Sequence, residues 1–187
     1  MRIECQSYLP DWRPQRPYKD SYSARAEEGG VLLDLIHEID YTGWLFGWPV
    51  SLQAGLKNLG RLGIDSDKIA ELTWETSKGC IVSTNLDYLS RTPRRQLHAY
   101  GELGTICWDG ITGTVQLMLA GASLQEHQST QTRDEMFAAQ IGALVDYING
   151  EPDSRMATGV DGVKALAICD AARLSSTSRR EEVVIYP

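Results

Sequence analysis

Asp34, His37, Glu38 and Tyr41 stand at positions i, i+3, i+4 and i+7 of the segment GGVLLDLIHEIDYTGWLFG, residues 29–47. On a helix that spacing lines their side chains along one face. A helix that needs only to stay dissolved usually carries Lys, Glu and Gln there. A carboxylate one turn before a histidine, with Asp40 three residues beyond it, is instead a composition that handles protons. A carboxylate beside the ring holds its orientation and favours its protonated form, which suits it to give or take a proton at a hydroxyl or carbonyl carbon. The plainer reading of the same residues is a partly buried helix whose His37 is hydrogen-bonded to a neighbour, because such clusters are structural as well as catalytic.

Other chemistries lack their residues. No two glycines are separated by a single residue, so neither a G-x-G-x-x-G fingerprint nor a P-loop exists to cradle a pyrophosphate. His37-Glu38 begins like the zinc-protease H-E-x-x-H helix, but the position of the second histidine is Tyr41. His98 and His127 lie far off without ligand spacing, so no metal is expected. A G-x-S-x-G elbow is missing, and no cysteine has a histidine beside it in sequence.

The segment that carries these groups reads as one helix of about four turns, opened by Gly29-Gly30 and closed by Gly47 with Pro49 just beyond. Leu32, Leu35, Ile36, Ile39 and Phe46 form its core-facing stripe. Before it runs YLPDWRPQRPYKDSYSARAEEGG, where three prolines in eight residues forbid regular structure. Aromatic and basic residues interleave there, and Trp12, Arg13, Tyr18 and Lys19 are candidates for framing a sugar or phosphate. A proline-stiffened loop whose aromatics cover the end of a core fits the same residues.

Residues 2–8 alternate as a strand. Residues 50–59, 68–76, 79–89, 94–100, 104–108 and 112–119 are short β-type runs, joined at 77–78 and 109–111 by turns tight enough for antiparallel hairpins. In residues 80–88, Cys80, Val82, Thr84, Leu86 and Tyr88 share one face and Ser83, Asn85 and Asp87 the other, so the sheet is expected to be covered on one side only. Thr132 and Glu135 propose a capping box for a helix over 130–149, with Met136, Phe137, Gln140, Ile141, Leu144, Val145 and Ile148 as its core face. A last helix over 159–174 and a short strand at EEVVIY close the chain. The order is segregated α+β: an open, mainly antiparallel sheet with helices on one face.

At 187 residues the chain fits one domain with a core of its own. A net charge of −7 argues against non-specific nucleic-acid binding, which needs a basic field. Arginines outnumber lysines 13 to 5, which leaves room for an anionic small molecule. Four cysteines without a C-x-x-C read as free thiols in a reducing compartment, and neither a signal segment nor an apolar run of membrane length is present. A cytoplasmic protein with no membrane partner is expected.

These segments together resemble the C-terminal domain of the Gfo/Idh/MocA family, which includes glucose-fructose oxidoreductase and inositol dehydrogenase. GGVLLDLIHEIDYTGWLFG is similar to its first long helix. YLPDWRP…Y…SYSA resembles the preceding loop of members from sugar and nonulosonate biosynthesis clusters. HAYGELGTICWDG resembles a strand pair leading to a tryptophan, and GVDGVKALAICDAARLSSTSRREEV the closing helix. The resemblance implies a substrate-binding and dimerising half whose open sheet forms the oligomer interface. Its partner is a Rossmann domain that binds NAD or NADP and supplies a lysine. It implies His37 as the catalytic histidine and Asp34 as the accompanying aspartate, and the composition of the neighbouring segments adds Asp40 and the loop residues Trp12, Arg13, Tyr18 and Lys19 toward a sugar or nucleotide-sugar substrate. Two departures stand out. The family's D-x-G-x-H spacing is shortened here to three, with no glycine between, and neither the lysine motif nor the Rossmann half is present. Residues 1–187 are thus expected to be a single C-terminal domain without turnover of its own. A free-standing, non-catalytic ligand-binding or self-association module of the same fold is the alternative.

Overall fold

The computed structural model describes residues 1–186. Nine strands form one sheet: β1 (Arg2–Tyr8), β2 (Pro49–Lys57), β3 (Ile69–Thr76), β4 (Ile81–Asp87), β5 (Leu89–Gly101), β6 (Gly104–Asp109), β7 (Thr114–Leu119), β8 (Gln125–Gln128) and β9 (Glu182–Val183). Their spatial order is β8-β7-β6-β5-β1-β4-β3-β2-β9, and every pairing is antiparallel except β1 with β4. β8 has the sequence QEHQ, all exposed, which offers no apolar alternation for a sequence reading to find.

The side chains alternate as a one-sided sheet requires. Val82, Thr84, Leu86 and Tyr88 are buried, as are Ala70, Leu72, Trp74 and Thr76 on β3 and Ile3 and Cys5 on β1. The intervening residues carry a polar lattice on the bare face, where Gln6 bonds Asn85 and Asn85 bonds Glu71. The covered face is roofed by α2 (Ile36–Phe46) and α4 (Gly159–Ser178), which pack on each other and, through α4, on β2. α4 starts from a Thr158–Asp161 capping box and presents Ala165, Ile168, Cys169 and Ala172 inward, while Val160, Val163 and Leu166 stay exposed. Its small inward residues let the helix lie close to the strands.

Two expectations fail. The segment 29–47 is not one helix: α1 (Val31–Asp34) ends at Leu35, whose φ of −105° and ψ of 23° break the spiral before α2. The break follows from how α1 is pinned. Gly30 takes φ +97°, and a Cβ there would lie 2.3 Å from Asp67 Oδ1. Asp67 can therefore close over the helix start, its carbonyl accepting from Val31 N at 2.9 Å and its carboxylate from Leu32 N at 3.0 Å. Leu32, Leu35 and Ile39 are still buried, with Ile36 and Phe46 packed beside them.

The second concerns α3 (Arg133–Ile148). Its Thr132–Glu135 capping box forms as the sequence predicts. Its proposed core face does not exist: Met136, Phe137, Ile141, Leu144, Val145 and Ile148 are all exposed, and so is Gln140. The apolar stripe is real, but no element of the described residues lies against it.

Candidate active site

The break at Leu35 sends the two helix carboxylates to different neighbours. Asp34 turns toward the loop side, where its Oδ2 accepts from the Tyr88 hydroxyl at 2.5 Å. Trp12 meets the Tyr88 ring edge-on, centroids 5.4 Å apart. Burial and then the hydrogen bond to Asp34 push the Tyr88 phenol up, while burial and the charge of Asp34 do the same to Tyr22. Trp12, Arg13, Tyr18 and Tyr22 line one cavity of about 160 Å³. The Tyr18 hydroxyl is already committed to the carbonyl of Leu62 at 2.8 Å. Lys19 lies apart from this cavity, in a shallow depression shared with Arg25, Glu27 and Glu28. The four predicted loop residues are thus three around a cavity and one outside it.

His37 belongs to a second cluster. Its Nε2 lies 3.0 Å from Oε1 of Glu38, and the same oxygen accepts from Nε of Arg95 at 2.8 Å. Glu38 is fully buried, whereas the His37 side chain is 49% exposed. Burial alone would raise the Glu38 carboxyl, but the His37 hydrogen bond and the Arg95 charge outweigh it and hold the group below its ordinary value. Arg95 lies over the ring of Trp108 at 5.4 Å, and Trp108 meets Tyr41 edge-on at 5.8 Å. Burial, then Glu38, pushes the Tyr41 phenol up. Asp40 is raised by partial burial and by Asp161, with His37 pulling the other way.

No hydrogen bond joins Asp34 to His37 among the described residues, so the expected pairing of these two is replaced by His37 with Glu38. Asp34 ends α1, whereas Glu38 lies within α2 on its buried face beside Ile39 and Thr42. Arg95 is the residue that the sequence reading missed, and Glu38, placed there on the polar face, was given no part in holding the histidine. Arg95 carried a signal: on an alternating strand it shares a side with Leu97, which is buried, so one of the consecutive arginines at 94 and 95 had to face the helix layer.

Cys5, His37 and Glu38 bring three ligand-type atoms within 4.8 Å of one another. They do not fit a metal. The guanidinium of Arg95 occupies the same carboxylate oxygen, and burial followed by Glu38 pushes the Cys5 thiol up to about 12. The start of α1 is no diphosphate site either. The glycine-opened start of α1 is filled by the Asp67 carboxylate, which would repel a diphosphate.

This fold and cluster define a class of domain. The GFO/IDH/MocA C-terminal domain profile matches residues 3–107, and the chain belongs to that family. Among solved structures it is similar to levoglucosan dehydrogenase in complex with NADH, with TM-score 0.83 and 16% identity over 100% of this chain and 58% of that one. It is also similar to the WlbA dehydrogenase from Bordetella pertussis in complex with NADH and UDP-GlcNAcA, at 0.73 and 15% over 100% and 55%. A third is the UDP-N-acetylglucosamine 3-dehydrogenase GnnA from Acidithiobacillus ferrooxidans, at 0.72 and 18% over 95% and 54%. The chain thus spans a little over half the length of each. No curated protein matches it. Among the described residues no helix is long and apolar enough to cross a membrane.

Proposed function

We propose that this chain is the substrate-binding half of an NAD(P)-dependent oxidoreductase acting on a CH–OH group of a sugar or nucleotide sugar, with His37 as its acid/base. The observation that carries the reading is His37 itself: a half-exposed imidazole standing on a fully buried carboxylate that Arg95 keeps ionised. Such a ring accepts the proton of a substrate hydroxyl as it becomes a carbonyl, and Glu38 stabilises the imidazolium that results. Half exposed, the ring is within reach of a substrate from solvent. Asp40, one turn on, and Trp12, Arg13 and Tyr18 around the loop cavity orient the sugar. Asp34, held by Tyr88, shapes the wall between the two clusters. Lys19 sits farther out and has the weakest claim.

The redox half, NAD or NADP, is held by a dinucleotide-binding domain outside these residues, so residues 1–187 form one substrate domain without turnover of their own. The solved neighbours that carry NADH, with a UDP-sugar in one case, support this reading. The helix-free face of the sheet is the surface for self-association, and the cytoplasm is the compartment. His37→Gln in the enzyme containing this domain tests the assignment. Turnover is expected to fall by about 10²–10⁴-fold, and near wild-type turnover with the fold intact would overturn it.

A further inference from the structure

We infer that Glu38, clamped by Arg95, is the positioning residue of this site: it fixes the His37 ring with Nε2 inward and leaves Nδ1 as the nitrogen that exchanges the proton. This rests on His37 being the acid/base. It assigns to Glu38 the orienting part that the family resemblance implies for Asp34.

His37 Nε2 stands 3.0 Å from Glu38 Oε1. A carboxylate kept ionised can only accept, so the imidazole nitrogen against Glu38 Oε1 carries a hydrogen. In the neutral ring the lone pair is then on Nδ1, which has no hydrogen-bond partner among the described residues, on a side chain that is half exposed. Glu38 cannot swing away, because it is fully buried and its Oε1 is shared with Arg95. Arg95 is fixed in turn between Glu38 and the Trp108 ring. Gly110 makes room for this stack: a Cβ there would come 2.8 Å from Trp108 Cζ2 and 3.0 Å from Arg95 Cδ. Asp34 does not serve the same end: its Oδ2 accepts from Tyr88, and no hydrogen bond joins it to His37 among the described residues. The carboxylate beside the histidine is thus the next residue in the chain, Glu38, rather than Asp34.

The test reads the ring directly. In the chain labelled with ¹⁵N-histidine, long-range ¹H–¹⁵N spectra of the imidazoles are assigned to His37 by their loss in His37→Gln. The wild type is expected to show a single Nε2–H form with a slowly exchanging ring proton. In Glu38→Leu that proton should exchange about 10–100-fold faster, the loss of one hydrogen bond to a charged group. Should Glu38→Leu not fold, as judged by circular dichroism, Glu38→Gln carries the same test with an increase of about 5-fold, because its neutral amide oxygen is the weaker acceptor. An Nδ1–H form in the wild type, or equal exchange in wild type and folded variant, overturns the inference. The turnover of His37→Gln separately decides the acid/base assignment, so neither result can be mistaken for the other.

Discussion

From β1 across to β9 the sheet is covered, and Ile3, Leu52, Leu72, Val82 and Leu86 are each nearly or wholly removed from solvent beneath α2 and α4. From β6 outward the same sheet continues with equally regular pairing, yet no residue between Leu97 and Ala165 is buried. α3 sits in this second region with a complete capping box and an apolar stripe of its own. The difference teaches that local signals build an element whether or not anything packs on it. Backbone pairing and capping are satisfied within a few residues, whereas burial needs a second surface. The candidate active site lies at the border of the two regions. His37 and Glu38 come from the covered side, and Arg95 comes from β5, the last strand with a buried residue.

The largest effects are expected at that border. Arg95→Met leaves the Glu38 carboxylate buried without its cation, and urea unfolding is expected to show a loss of about 3–5 kcal/mol. Replacing Glu38 and Arg95 together by Leu should recover most of that loss, because an apolar pair leaves no orphaned charge. A double variant as unstable as Arg95→Met would show that the site's packing, not its charge balance, is at stake. Next comes the core under the helices. Leu86→Ala is expected to cost about 2–5 kcal/mol, the transfer and cavity penalty of a fully buried leucine.

A smaller effect is set by pH. The folded-state carboxyl of Glu38 lies below its ordinary 4.5, so its stabilisation is complete above the unfolded value and is lost as pH falls through the folded one. The stability gap between wild type and Glu38→Gln should therefore close from about pH 4.5 downward. A gap that persists at lower pH would mean the carboxylate is not the stabilising form. In the bare region effects should be slight. Thr132→Ala is expected to cost about 1 kcal/mol of α3 stability, visible as lost helicity without a shift of the main unfolding transition. Phe137→Ala, the same kind of truncation as Leu86→Ala, should change global stability by no more than about 0.5 kcal/mol. A loss of several kcal/mol there would show that α3 is covered in solution, and would erase the contrast between the two regions.

The sequence by itself determined the elements that rest on local chemistry. The alternation of Val82, Thr84, Leu86 and Tyr88 marked a one-sided strand. Thr132 and Glu135 marked a helix start, and the tight turns at 77–78 and 109–111 marked antiparallel hairpins. It also singled out His37, because an imidazole among carboxylates on one helix face is a compositional oddity that needs no structure to notice. What it could not give was the partner of that histidine. Periodicity assumes an unbroken helix, and on one Glu38 points to water with Asp34 as the neighbouring acid. Asp67, 33 residues beyond Asp34 in the chain, pins the start of α1, and the spiral breaks at Leu35. The break and the burial of Glu38 are long-range events with no trace in local spacing, and the alternation that turns Arg95 inward does not say which carboxylate it meets. Only the tertiary structure decided them, because the free energy of a buried ion pair depends on what surrounds it and not on the residues beside it in sequence.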